Sequence, residues 1–110
     1  MACRIPVQEA ARLREHYRHV LLDDFVPWWE AHSIDRECGG FFSCLERDGR
    51  AYAGDKFTWS VARQTWMFSR LYNRCRPNSR WLEIARHGAA FLLAHGFTAE
   101  GRLYYRLSRE

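Results

Sequence analysis

The segment FTWSVARQTWMFSRLYNRC, residues 57–75, contains the helical pattern that decides the fold. Four of its side chains recur at steps of four, three and four residues and so share one helical face: Trp59, Arg63, Trp66 and Arg70. Apolar or small residues cover most of the remaining surface: Val61, Ala62, Thr65, Phe68, Ser69 and Tyr72. A helix that is apolar on most sides is typical of a protein interior, so we predict an interior helix here.

An earlier helical pattern covers residues 7–32. Its apolar stripe, at three- and four-residue steps, is formed by Ala10, Leu13, Tyr17, Val20, Leu21 and Trp28. Pro27 lies inside this pattern. Because proline lacks an amide donor and crowds the preceding turn, we expect a kink or break near Phe25. Pro77 ends the middle helix for a related reason, since the residue before a proline avoids helical geometry.

A further helix is predicted over residues 79–95. Asn78 or Ser79 is expected to cap its start, because both side chains can accept a hydrogen bond from a free helical amide. Glu83 complements the helix dipole near the start, and Gly96 is expected to close the helix in left-handed geometry.

Short strand signals lie between and after these helices. Residues 41–45 have strand composition, residues 47–50 form a turn signal, and residues 51–53 can return as the partner strand. Residues 101–107 alternate as a final strand for which no partner follows downstream. Complete domains usually cover the exposed edge of such a strand. We therefore interpret residues 1–110 as a single partial domain, the opening of a helical array.

Composition narrows the class of protein. The 110 residues carry 17 basic and 13 acidic side chains, which gives a formal net charge of +4, and 47% of the residues are hydrophobic. This size and composition fit one globular domain. The excess of basic residues allows a phosphate-binding patch around residues 70–80. A solvated loop is favoured there, however, and no nucleic-acid module signature is present.

Localisation and metal binding follow from smaller signals. A membrane span would need about eighteen consecutive apolar residues, and a secretory signal would need a long apolar stretch near the start; neither is present. The four cysteines form no CxxC pair, so we expect reduced thiols in a cytoplasmic protein. His16 and His19 share a helical face but have no third ligand nearby, so no metal site is expected.

Arg63 is the candidate functional residue of the middle helix. An arginine between two tryptophans on an interior helix must be paired or must line a wet cavity, because burying a lone charge is expensive. Its planar guanidinium can also stack on indole while its donors point into a pocket. From the residue pattern alone, a buried arginine that bridges to a carboxylate such as Asp55, or to helix-end carbonyls, is favoured over a role in a site.

An ordered set of segments resembles the N-terminal part of the N-acylglucosamine 2-epimerase family, which also contains cellobiose and mannose 2-epimerases. These segments are residues 32–35, 39–42, 48–49, 55–57, 63–69, 81–82, 85–88, 91–92 and 101–105. The resemblance implies a mainly α fold, in which this chain is the N-terminal fragment of an (α/α)6 barrel with short β-hairpins between three helices. It also implies that later helices complete the barrel.

The resemblance implies epimerisation beside a carbonyl. The sugar ring opens, a proton leaves carbon 2 from one face, and a proton returns on the opposite face. This chemistry needs a base, an acid and positive charge near the developing enediolate oxygen. Family members place their catalytic histidines in later helices, and none of the histidines here matches those positions: His16, His19, His32, His87 and His95. The fragment alone is therefore expected to be inactive.

With the resemblance included, a substrate-binding role is favoured for Arg63, because the matching arginine of the family contacts the sugar near its reacting end. Trp59 and Trp66 are the accompanying substrate-binding candidates, with core packing an equally favoured role for both. Lys56 and Asp55 are interpreted as a hairpin–helix tie and a helix cap, for which Thr58 is the other candidate.

The expected partners are a monosaccharide or disaccharide substrate and, in the full-length protein, a second copy of the chain. No cofactor, nucleic acid or membrane is implied. The alternative function is a non-catalytic, Arg-rich helical interaction module that dimerises through aromatic faces or binds an acidic partner.

Overall fold

The computed structural model describes residues 4–109. Its elements, in chain order, are α1 (Val7–His19), a π-helical segment (Val20–Phe25), α2 (Val26–His32), β1 (Cys44–Leu45), β2 (Ala51–Ala53), β3 (Lys56–Phe57), α3 (Thr58–Arg74), α4 (Ser79–His95) and β4 (Arg106–Leu107). The predicted mainly α architecture, three helical segments with short strands between them, is confirmed.

The interruption expected near Phe25 takes the form of the π-helical segment, which ends at that residue. Pro27 follows in the first turn of α2, where its missing amide is tolerated. A π segment fits an additional residue into a turn and thereby rotates everything after it. The predicted stripe is wrong: Leu22 and Val26 are buried, whereas Tyr17 and Leu21 are exposed, and α1, which precedes the π segment, has no buried residue.

Helices α3 and α4 pack against each other around the hydrophobic core. The buried apolar residues are Leu22, Val26, Phe41, Val61, Phe68, Leu71, Trp81, Ile84, Ala85 and Phe91. The two helices approach closely at Gly88, where an added Cβ would overlap the Thr65 hydroxyl and the Phe41 ring. Phe41 comes from the loop before β1, so this loop is anchored in the same core.

The expectation that α3 is buried on most sides is wrong for the described residues. Its buried positions lie on one side: Thr58, Val61, Phe68 and Leu71. The face that carries Arg63 is exposed, and 57% of Trp59 and 60% of Trp66 are accessible. An apolar composition on several sides does not bury a helix unless a neighbour covers each side, and α4 covers only one.

The helix ends test the capping predictions. Asn78 caps α4 as expected, since its Oδ1 accepts a hydrogen bond from the Arg80 amide at 3.0 Å. Gly96 does not adopt left-handed geometry; its φ is −74°, and its carbonyl instead accepts from the Tyr104 amide at 2.9 Å. No side chain caps α3. The Thr58 hydroxyl instead donates to backbone carbonyls of the C-terminal segment.

The strands form two antiparallel pairs. In the first pair Cys44 lies opposite Ala53, which confirms the predicted hairpin of β1 and β2. In the second, Lys56 lies opposite Leu107 and Phe57 opposite Arg106. The expectation that the final strand lacks a partner is therefore wrong, because β4 pairs with β3, which precedes it by about fifty residues in sequence. No helix within residues 4–109 is long and apolar enough to cross a membrane.

Candidate functional site

A groove of about 240 Å³ lies between α2, the loop before β1, and α3. Its lining residues are Trp29, Phe42, Ser43, Ser60, Arg63, Gln64 and Met67. Aromatic and apolar walls with a few hydrogen-bonding groups suit a ligand that presents both apolar faces and hydroxyl groups. Of the three predicted site residues, only Arg63 lines this groove.

Arg63 is exposed, and its guanidinium carbon lies 5.4 Å from the centre of the Trp59 ring. The ion pair with Asp55 that the residue pattern favoured is not formed, because Asp55 pairs with Arg106 at 3.2 Å. Within residues 4–109 no carboxylate pairs with Arg63. The stacked guanidinium therefore keeps hydrogen-bond donors available at the edge of the groove.

Trp66 lies away from the groove. The guanidinium carbon of Arg70 is 5.5 Å from the centre of its ring, so α3 carries two successive Trp–Arg pairs. Trp66 lines a separate cavity of about 260 Å³ with Leu21, Met67, Arg70, Leu71, Arg74 and Cys75. The guanidinium of Arg63 thus contacts the ring of Trp59, one of the two predicted indoles, whereas the ring of Trp66 pairs with Arg70.

Two hydrogen bonds fix the groove floor. The side-chain amide of Gln64 donates to the Ser33 hydroxyl at 2.6 Å, and this hydroxyl donates to the Trp29 carbonyl at 2.5 Å. Ser33 is fully buried. The end of α2 is thereby joined to the middle of α3. Sequence reasoning missed both Gln64 and Ser33 as site residues, although both lie in segments that carry the family resemblance.

A buried ion cluster lies behind the loop. Asp35 and Lys56 are each 1% exposed, and the Lys56 ammonium donates to the Asp35 carboxylate at 2.7 Å. Arg109 donates to the same carboxylate oxygen at 3.0 Å. Lys56 therefore joins the loop before β1 to the strand that precedes α3, so the tie is made with this loop and not with the hairpin that was predicted. Asp35 and Arg109 were not predicted as its partners, since Arg109 is 74 residues from Asp35 in sequence.

The charges of this cluster support one another. Burial by itself would raise the pKa of Asp35, but hydrogen bonds from Arg109 and Lys56 hold that pKa well below its usual range. The hydrogen bond to Asp35 in turn raises the pKa of Arg109. Asp35 and Arg109 therefore stay charged at neutral pH.

The histidines of α4 pack rather than form a reactive pair. His87 Nε2 is 2.8 Å from the Gly40 carbonyl, and the His95 ring lies 5.2 Å from that of Phe91. No three histidine, cysteine or acidic side chains within residues 4–109 come together as a metal site. The basic residues around positions 70–80, which were considered as a phosphate-binding patch, are partly neutralised, because Arg80 pairs with Glu30 at 2.9 Å.

Comparison with known proteins places these features in a class. Residues 40–110 match the family model described as N-acylglucosamine 2-epimerase (GlcNAc 2-epimerase). Over 80 residues the chain is 44% identical to N-acylglucosamine 2-epimerase of Homo sapiens and 42% identical to that of Rattus norvegicus. Each match covers 71% of this chain and 19% of the relative, so the chain spans about a fifth of the relatives' length.

Solved structures give the same fold. Cellobiose 2-epimerase from Bacillus thermoamylovorans B4167 superposes with a TM-score of 0.80 at 25% identity, covering 90% of this chain and 26% of that one. The enzyme from Spirochaeta thermophila DSM 6192 gives a TM-score of 0.81 at 25% identity, with 90% and 24% covered.

The chain is thus mainly α, and its fold matches a part of the cellobiose 2-epimerases, which are (α/α)6 barrels. The chain belongs to the N-acylglucosamine 2-epimerase family, which confirms the resemblance found in the sequence.

Proposed function

We propose that this chain contributes the substrate groove of a sugar epimerase or isomerase that acts at carbon 2 of N-acylglucosamine or a related aldose. Family membership supports the class of enzyme. The observation that carries the proposal is Arg63 at the edge of a groove with aromatic walls, stacked on Trp59 and without a carboxylate partner among residues 4–109. We further propose that residues 1–110 are one partial domain of a cytoplasmic protein, which in full length forms a homodimer and binds neither nucleic acid nor membrane.

Arg63 supplies fixed positive charge in this proposal. Removing the proton beside the carbonyl places negative charge on the carbonyl oxygen, and a guanidinium donates strong, charge-assisted hydrogen bonds to such an oxygen. Trp59 holds one face of the guanidinium and thereby limits the directions in which its donors point. An open-chain sugar with carbon 1 and carbon 2 near Arg63 would be stabilised most when the enediolate forms.

The aromatic walls bind the remainder of the sugar. Trp29 and Phe42 offer apolar surface to its C–H faces, and Ser43, Ser60 and Gln64 offer hydrogen-bonding groups to its hydroxyls. Trp59 contacts a sugar only at the groove edge. Trp66 contacts only a part of the substrate that extends along α3 toward Arg70.

Proton transfer comes from residues outside this chain, since no histidine of the described segment lies in the groove. We therefore expect the purified 110 residues to show no epimerisation of N-acetylglucosamine, mannose or cellobiose. Turnover above the background of a matched blank would contradict the assignment of the proton-transfer groups.

The activity test uses a chimera. In N-acylglucosamine 2-epimerase of Homo sapiens, the 80 matching residues are replaced by those of this chain, and epimerisation is followed by the change in product ratio. The chimera should be active. Arg63→Lys should lower kcat about 10²-fold, which is the usual effect of removing one oxyanion donor. Arg70→Lys is the matched control, because Arg70 lies on the same helix and also stacks on a tryptophan. This substitution should leave kcat within about twofold. Equal effects of the two substitutions would remove Arg63 from the site.

The exposed aromatic and arginine side chains of α3 also support the alternative of a non-catalytic interaction module. Gel filtration and a salt titration against duplex DNA test it. Dimerisation of the chain that is lost in Trp66→Ala, or salt-sensitive DNA binding, would favour the module. A monomer that does not bind DNA at low salt would eliminate it.

A further inference from the structure

The groove has two walls that come from distant parts of the sequence. One wall is α3, which presents Arg63, and the other is the loop before β1, which presents Phe42 and Ser43. The loop is folded back onto the end of α2, where the Phe42 amide donates to the Ser33 carbonyl at 2.8 Å. The separation of the two walls decides how a ring that rests on Phe42 meets the guanidinium of Arg63.

Lys56 connects these walls. It lies two residues before the first residue of α3, and its buried ammonium donates into the loop, to the Asp35 carboxylate at 2.7 Å and to the Gly39 carbonyl. The other Asp35 oxygen accepts from the amides of Glu37 and Cys38 at 3.1 and 3.0 Å. The loop is thus organised around one carboxylate, and β3, directly before α3, supplies the cation that is bonded to it.

Phe42 is in contact with the same cations. Its ring centre lies 5.8 Å from the Lys56 ammonium and 5.5 Å from the guanidinium carbon of Arg109. Cation–π attraction favours these placements, so the cluster that holds the loop also orients the ring that lines the groove. Ser43 is fixed in a similar way, since its hydroxyl accepts from the Phe57 amide at 3.1 Å.

The stability of the fold does not by itself explain why Lys56, a charged residue, occupies this buried position. The cost of removing an ammonium and a carboxylate from water offsets much of their attraction, and well-packed apolar residues often stabilise such a site as well or better. The directional bonds of the ion pair do supply geometry. They fix the position of the loop relative to α3 more closely than apolar packing would.

We propose that Lys56, through Asp35, is a positioning residue for the sugar groove: it sets the placement of Phe42 and Ser43 relative to Arg63. This inference rests on the proposed function. It assigns to Lys56 no contact with the substrate, and predicts that loss of its charge weakens sugar binding while both helices stay folded.

The test compares the 15N-labelled 110-residue chain with Lys56→Met and with Arg106→Met. Arg106 is the matched control, because it lies opposite Phe57 in β4 and its ion pair is an exposed one, with Asp55. Mannose and cellobiose are titrated, and Kd is read from amide shifts of groove residues. We expect Lys56→Met to raise Kd about tenfold and to add exchange broadening at Phe42 and Ser43, with unchanged α4 amides. Arg106→Met should change Kd less than about twofold.

Unchanged affinity and unchanged Phe42 and Ser43 amides in a folded Lys56→Met chain would overturn the inference. Should Lys56→Met fail to fold, Arg109→Met decides, since it removes the more exposed of the two cations beside Phe42. The same amides must then move and Kd must rise, or the inference is wrong.

Failure of the proposed function gives a different result. If the wild-type chain shows no sugar-dependent shifts at the groove, the assignment of the groove to sugar fails, whereas the placement of the loop by Lys56 is still decided by the Phe42 and Ser43 amides. Broadening in Lys56→Met alone supports positioning, and identical spectra reject it.

Discussion

Helix α1 and the α3–α4 pair are both regular helices, yet they depend on different interactions. No side chain of α1 is buried, and Glu9 and Arg12 form an exposed ion pair at 2.7 Å on its surface. In the α3–α4 pair, Phe68 is fully buried. The loop that packs onto this pair encloses an ion pair whose members are each 1% exposed. Helix formation and burial are therefore separate outcomes: local sequence forms the helix, but a neighbour must bury its face.

The largest expected effect comes from the core side of this comparison. Phe68→Ala should lower the free energy of unfolding by about 3–5 kcal/mol, because it removes buried apolar surface and leaves a cavity between α3 and α4. Tyr17→Ala in α1 is the matched control, since 65% of Tyr17 is exposed; it should change the same quantity by less than about 0.5 kcal/mol. Urea unfolding followed by circular dichroism measures both. Similar losses for the two variants would mean that the burial contrast does not exist in solution.

Asp35 in the buried ion cluster and Glu9 on the surface of α1 should respond differently to pH. The pKa of Asp35 is lowered in the folded state, where Arg109 and Lys56 bond to it, so its contribution to stability is present above the unfolded pKa of about 4 and is lost as pH falls toward the folded pKa. Between pH 7 and about pH 2.5 this group should account for a loss of about 2 kcal/mol.

Denaturant unfolding across this pH range measures the loss. Asp35→Asn should flatten the acid dependence, since its side chain does not titrate. Glu9→Gln should leave the dependence close to that of wild type, because the exposed pair with Arg12 is screened by solvent. An acid dependence that Asp35→Asn leaves intact would assign the loss to other carboxylates.

The smallest expected effect concerns the helix starts. Asn78→Ala should destabilise the chain by about 1 kcal/mol, because the Arg80 amide loses its acceptor. In α1 no side chain caps the start, so Val7→Ala should have almost no effect. Thermal unfolding of the two variants beside wild type provides the measurement. A Val7→Ala loss as large as that of Asn78→Ala would show that α1 contributes to the folded core after all.

Much of the helical layout was predictable because its signals are local. The bounds of α4 and its Asn78 cap follow from residues within one turn of each other, and α3 ends before Pro77 as expected. The register after the π-helical segment was not predictable, because a single additional residue in a turn moves the buried positions from the Leu21 side to Leu22.

The candidate site was only partly predictable. Arg63 was selected by a motif and does line the groove. That Trp66 lies outside this groove depends on where α2 and the loop before β1 pack against α3. The repeated spacing of the two Trp–Arg pairs makes them equivalent in sequence. Only their neighbours distinguish them.

Residues close together in the chain, or an ordered motif, were sufficient to predict the helices, the first hairpin, the membership of an epimerase family and Arg63 as a candidate site residue. Tertiary structure alone decided that β4 pairs with β3, that Lys56 and Arg109 meet at Asp35, and that one face of α3 stays exposed. The physical reason is distance along the chain. Periodicity and capping act over three or four residues, whereas a contact between residues 35 and 109 exists only once the core between α3 and α4 has brought their backbones together.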